Sequence, residues 1–143
     1  MNNYHLTDIY IGMTEQFTID MTEKNLNCFY QISGDSNPMH TDSAYARLVG
    51  YKEKIVYGMC TASLYSTLVG VYLPGKYCLV KKCEVEWPAP VYVGDVLTVK
   101  GVVKEIDEKF NTIRIYAEIR NQDMVKVSRA KLTVQINEVD FNE

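Results

Sequence analysis

Ile55-Val56-Tyr57-Gly58-Met59-Cys60-Thr61-Ala62-Ser63-Leu64-Tyr65-Ser66-Thr67-Leu68-Val69-Gly70-Val71-Tyr72-Leu73-Pro74-Gly75 contains no charged residue. A run of this length could cross a bilayer, which takes about 20 predominantly apolar residues. Thr61, Ser63, Ser66, Thr67 and three tyrosines interrupt it, however, and it sits between strand-like segments. It therefore reads as a helix buried on most sides inside a soluble domain, opened by Gly58 and stopped by Pro74-Gly75.

After Gly75 the apolar period falls to two. Cys83, Val85 and Trp87 oppose Lys82, Glu84 and Glu86, while Ile113, Ile115, Ala117 and Ile119 oppose Thr112, Arg114, Tyr116 and Glu118. Ala130, Leu132, Val134 and Ile136 repeat the alternation, and Val96 to Val103 adds a strand after a turn at Gly94-Asp95. Such alternation marks strands with one buried face. Hairpin turns are expected at 107–111 and 121–123. Before the uncharged helix, Gln16 to Met21 alternates as a first strand. Thr22 then caps a helix carrying Leu26, Phe29 and Tyr30 that ends at Gly34, and Ser43 to Leu48 forms another that ends near Gly50.

The expected order is one strand, helices, then four strands joined mostly as a meander, which is an α+β domain spanning 1–143. A strongly apolar helix and one-sided strands hide the same surface when the sheet curls its apolar face around the helix. The remaining sheet edge and the exposed flank of the helix predict self-association.

Composition narrows the function classes. At 143 residues and 47% apolar content the chain suits one domain with a real core. A net charge of -3 with interspersed signs gives no basic stripe, so neither nucleic acid nor a membrane surface is an expected partner. Cys28, Cys60, Cys78 and Cys83 form no C-x-x-C pair, and neither histidine falls at zinc-ligand spacing with them. No metal is expected. The cysteines read as buried thiols of a reducing compartment, and a polar Met1 to Asp8 lacks the features of a secretory signal, so the expected location is cytoplasmic.

The chemistry-bearing segment is Ser33-Gly34-Asp35-Ser36-Asn37-Pro38-Met39-His40. Pro38 fixes its own φ and biases Asn37 away from the α region, so the segment is expected as a bent loop aiming Asp35 and His40 at one point. A neutral imidazole takes a proton near pH 7 and a carboxylate alongside orients it. Taken alone, the same spacing also suits a turn-closing aspartate and a surface histidine.

Phe29-(x3)-Ser33-Gly34-Asp35-(x)-Asn37-Pro38-(x)-His40-(x)-Asp42, then Tyr45-Ala46 and Ile55-Val56-(x)-Gly58-Met59, resembles the hydratase motif of MaoC-like dehydratases, the (R)-specific enoyl-CoA hydratases. Pro74-Gly75 and Pro90-Val91-(x2)-Gly94-Asp95 extend the resemblance over nearly the whole chain. It implies a hot-dog fold, an antiparallel sheet wrapped around a long central helix, in a homodimer with substrate tunnels near the subunit interface. It implies that Asp35 and His40 activate water for addition to a trans-2-enoyl thioester, and that the Gly58 N–H holds the thioester carbonyl.

Asn37 is expected to shape the loop and to bond water or Asp35. Ser66 matches a serine that lies beside the catalytic pair in the family, or else bonds its own backbone. Val69, one turn on, either lines the acyl pocket or packs in the core. Tyr57 stands where the family often has histidine, which predicts an altered pocket wall or substrate preference. Asp42 and Asp95 read as turn or capping residues.

The implied substrate is an acyl thioester of CoA, with an acyl carrier protein as the alternative carrier. CoA or phosphopantetheine then enters as part of the substrate and no separate cofactor is required. The intact hydratase motif argues against a thioesterase, which shares the fold, and disfavours a non-catalytic acyl-thioester binding module.

Overall fold

Thr14–Asp20 forms strand β1, and Thr22 turns the chain directly into helix α1, Glu23–Ser33. The Thr22 hydroxyl accepts from the Asn25 N–H at 3.2 Å and the Asn25 carboxamide accepts from the Thr22 N–H at 3.0 Å, a reciprocal cap of the expected kind. Gly34 ends α1 in the left-handed region at φ 68°, a conformation glycine adopts without steric penalty. The computed structural model describes residues 1–138; residues 139–143 of the expected 1–143 domain lie outside the described residues.

Two short helices follow, α2 (Pro38–Thr41) and α3 (Ser43–Leu48). Asp42 caps α3 by accepting from the Ala44 and Tyr45 N–H groups at 2.8 and 3.1 Å, which is the capping role read from its position. The uncharged run forms α4, Gly58–Thr67, continued by a wider π-helical turn over Leu68–Tyr72. Among the described residues no helix is long and apolar enough to cross a membrane.

Strands β2 (Cys78–Glu86), β3 (Val96–Asp107), β4 (Thr112–Arg120) and β5 (Lys126–Ile136) complete one antiparallel sheet in the order β1-β3-β4-β5-β2. The expected meander holds for β3, β4 and β5. β2 departs from it by crossing over to pair with β5. Both hairpin turns form where expected, with the Asp107 carboxylate accepting from the Lys109 and Phe110 N–H groups and Asn121 closing the second.

The helix packs on the sheet because the middle of one register row is small. Glu15, Gly101, Ala117, Ala130 and Val85 lie side by side across all five strands. A Cβ on Gly101 would come within 2.9 Å of Leu68, so the missing side chain is what seats the fully buried Leu68 on β3. Ile113, Ile115, Ile119, Leu132, Val134 and Ile136 bury the flanking rows. One polar bond ties helix to sheet inside this apolar contact: Tyr65 donates to Ser128 Oγ at 2.9 Å, and Ser128 donates to the Glu86 carbonyl at 3.1 Å. Burial pushes the Tyr65 phenol up to about 12, so it stays a donor.

The expected burial of Cys83, Val85 and Trp87 needs correction. Cys83 and Val85 share rows with Leu132 and Ala130, but β2 is an edge strand. Cys83 is exposed, Val85 only half-buried, and Leu79 and Val80 are 44% and 43% exposed. Of the four cysteines, all unpaired, only Cys60 is buried. Trp87 lies beyond the strand end and does something else.

Candidate active site

The segment expected to be a bent loop is one only as far as Asn37. The Asp35 carboxylate accepts from the Asn37 N–H at 3.0 Å, and the Asn37 side chain accepts from the Met39 N–H at 2.9 Å. Asn37 thereby caps α2, and Pro38 takes the first helical position, where its missing N–H costs nothing. His40 thus rides on a helical turn and not on a loop. Asn37 is exposed with its carboxamide oxygen committed to the cap, so it shapes the segment as expected.

His40 Nδ1 lies 2.8 Å from the Ile55 carbonyl oxygen. A carbonyl only accepts, so Nδ1 carries the hydrogen, and in the neutral form of the ring Nε2 is then the acceptor. One face of the ring packs on Tyr57, with centroids 4.1 Å apart, and Phe29 packs against Tyr57 at 5.0 Å. Tyr57 is 2% exposed, and its hydroxyl donates to the Asp35 carbonyl at 2.6 Å. Burial, reinforced by the Asp35 charge, holds the phenol above its ordinary range, so it remains a donor. A single side chain therefore fastens the aspartate segment and supports the histidine ring.

Gly58 follows Tyr57 as the first residue of α4, where backbone N–H groups lack intrahelical partners and the helix dipole favours negative charge. Asp35, His40, Tyr57 and Gly58, with Phe29, Met59 and Trp87, line one cavity of about 240 Å³. Two further cavities also touch His40. One of about 230 Å³ runs over Ile55, Val56, Ala89 and Val91, and one of about 350 Å³ contains Ser36, Thr41 and Lys54. The histidine stands where an apolar compartment, a polar compartment and a helix N-terminus meet. That arrangement suits a base beside a carbonyl whose oxygen gains charge.

The model of the MaoC-like domain family matches residues 10–125. The chain belongs to this family. Similarity to individual MaoC-like relatives is moderate in sequence and close in fold. The chain is 30% identical over 102 residues to a 3-hydroxybutyryl-CoA dehydratase of Methylorubrum extorquens, covering 71% of this chain and 65% of that one. It is 28% identical over 127 residues to an (R)-specific enoyl-CoA hydratase of Rhodospirillum rubrum, covering 86% and 87%. The alignment thus spans less than two thirds of the Methylorubrum protein. The solved R-hydratase PhaJ1 of Pseudomonas aeruginosa superposes with a TM-score of 0.88 at 29% identity, covering 99% of this chain and 93% of that one. The fold of this MaoC-like chain is the hot-dog fold.

Within that fold the expected site residues separate into two groups. Asp35, His40, Tyr57 and Gly58 come together, whereas Ser66 is exposed further along α4 and Val69 is 1% exposed in the core. Neither Ser66 nor Val69 lines the cavities around His40. Asp95 is buried and accepts from the Tyr92 N–H and the Gln122 side chain, both at 2.9 Å, a turn role as read. Among the described residues no cluster of three or more His, Cys, Asp or Glu side chains could hold a metal ion.

The residue that the period-two pattern missed is Trp87. It lines two of the cavities, and its indole N–H donates to the Gly58 carbonyl at 2.7 Å. Its one sequence signal is position: the sole tryptophan stands at the end of a strand, directly before Pro88-Ala89-Pro90.

Proposed function

We propose that this chain is a reversible hydro-lyase, an (R)-specific enoyl-CoA hydratase and 3-hydroxyacyl thioester dehydratase, with Asp35, His40 and Gly58 as its catalytic groups. The observation that carries the reading is the convergence of a carboxylate, an imidazole with Nε2 available and the first N–H of α4 on one small cavity. In hydration, water oxygen bonds to C3 of the enoyl thioester while the C2–C3 π electrons move onto the thioester oxygen. The Gly58 N–H stabilises that oxyanion. The Asp35/His40 pair takes one proton from water and returns one to C2, ending the turnover as it began. This chemistry is complete without a metal or separate cofactor.

The apolar compartment over Ile55, Val56, Ala89 and Val91 suits a short acyl chain, and the neighbouring Tyr57 would bias chain preference as the family histidine does not. CoA is the proposed carrier. The same reading includes a homodimer, supported by the open edge of β2 and its exposed Leu79 and Val80. It also places the protein in the cytoplasm, a setting that suits its unpaired thiols.

The decisive experiment follows the loss of enoyl absorbance with crotonyl-CoA and a panel of longer CoA and carrier-protein thioesters, then resolves the product on a chiral column. The (R)-3-hydroxyacyl thioester is expected. No turnover on any member of the panel, or the (S) product, overturns the proposal.

A further inference from the structure

Gly58 carries a burden that its residue type does not suit. Glycine has the greatest backbone freedom of any residue, yet an oxyanion donor acts only if its direction is fixed before the charge develops. The helix ladder reaches it from the N-terminal side, where the Thr61 N–H donates to the Tyr57 carbonyl at 3.1 Å and so holds the Tyr57–Gly58 peptide that carries the Gly58 N–H. Trp87 supplies the other side. Its Nε1–H donates to the Gly58 carbonyl at 2.7 Å, and the indole covers the place a side chain would occupy, with ring atoms 3.2–3.4 Å from an ideal Cβ. The indole is 43% exposed, so its bond to the Gly58 carbonyl lies at the edge of the core, where it can border a cavity. It also borders both the cavity containing Asp35 and the apolar one over Val56.

From this geometry we infer that Trp87 is a positioning residue for the reaction: its hydrogen bond holds the Gly58–Met59 peptide and its ring covers the Gly58 Cα, which fixes the backbone torsions at Gly58 and with them the direction of the N–H on the other side of that Cα. The inference rests on the reading of Gly58 as the oxyanion donor. It separates two properties of the indole, because a phenyl ring could still cover the glycine but could not hold its carbonyl.

Trp87→Phe therefore isolates the hydrogen bond. Losing one such bond is worth roughly 3- to 10-fold in rate, and the loss should fall on kcat for crotonyl-CoA with KM changed by less than about two-fold, because the bond matters most when charge develops. The Gly58 amide signal of the 15N-labelled variant should shift, while the thermal midpoint stays near that of the wild type. A wild-type kcat in Trp87→Phe, or a loss confined to KM, overturns the inference. A second measurement needs no variant. In the wild type the single indole N–H resonance should lie away from the free-tryptophan position and move when the unreactive butyryl-CoA is added; a resonance at the free position overturns the bond itself. The two levels of the argument fail differently. A wild type that hydrates no enoyl thioester removes the functional reading and this inference with it, whereas an active wild type matched by Trp87→Phe removes the inference alone.

Discussion

Gly58 and Gly101 are both pressed against a bulky side chain. At Gly101 an added Cβ would lie 2.9 Å from Leu68 and 3.0 Å from Ile115, both fully buried. At Gly58 it would lie 3.2–3.4 Å from Trp87, which is 43% exposed and lines a cavity. One glycine lets two layers of core close; the other lets an indole settle against the helix start beside the cavity that His40 lines. The same absence of a side chain serves stability at one end of the central helix and chemistry at the other. The two ends should respond separately to mutation.

The largest effect is expected at the Gly58 end. Asp35→Asn and His40→Ala should each lower hydration of crotonyl-CoA by roughly two to four orders of magnitude, and the double variant should be little worse than either single one. Asp35 is exposed and its asparagine replacement can still accept from the Asn37 N–H, so circular dichroism and the melting curve of that variant should match the wild type. Near-native turnover by either folded variant would break the division.

At the other end, Gly101→Ala forces Leu68 to shift within a filled core, which typically costs about 1–3 kcal/mol. A lower urea midpoint with unchanged kcat per folded molecule is expected; a selective loss of kcat would show that the ends are coupled. Tyr57→Phe tests the border between them. It keeps the ring between Phe29 and His40 but drops the bond to the Asp35 carbonyl, so a stability loss of about 0.5–1.5 kcal/mol is expected, together with a fall in kcat of a few fold.

The smallest effect lies on the outer face of the sheet, where Glu118 stands opposite Lys100, one position from the Gly101 row. Glu118 accepts from Arg120 at 2.8 Å and pairs with Lys126 at 3.0 Å, which holds its carboxyl below the usual range. Because the folded-state value is the lowered one, this contribution is fully present above the ordinary carboxylate pKa and fades as pH falls through the lowered value. Glu118→Gln should cost no more than about 1 kcal/mol near pH 7, and its urea midpoint should converge on that of the wild type in acid.

What could be read in advance follows the range of the forces involved. The alternation in β4 and β5, the Thr22 cap and the Gly34 stop are local, and each stands where the residues put it. The candidate-site motif was legible because Asp35, Asn37, Pro38 and His40 lie within one short segment. Its helical ending was not, since Pro38 breaks a helix interior but starts a helix well. The exposure of Cys83 escaped notice because alternation gives the face of a strand and not its place in the sheet, and β2 is at the edge. Trp87 escaped for a related reason. Its partner is a backbone carbonyl distant in sequence, and no side-chain pattern records a main-chain acceptor.

The strand order β1-β3-β4-β5-β2 also carries a consequence for how the molecule comes into being. β3, β4 and β5 are joined by tight hairpins and close short loops, whereas β1 reaches β3, and β2 reaches β5, only by closing long ones. Asp35, His40 and Gly58 all belong to the segment between the two late-arriving edges. In refolding from urea the meander should gain its sheet signal first, and the ability to turn over substrate should return last, when the outer strands have drawn that segment into place.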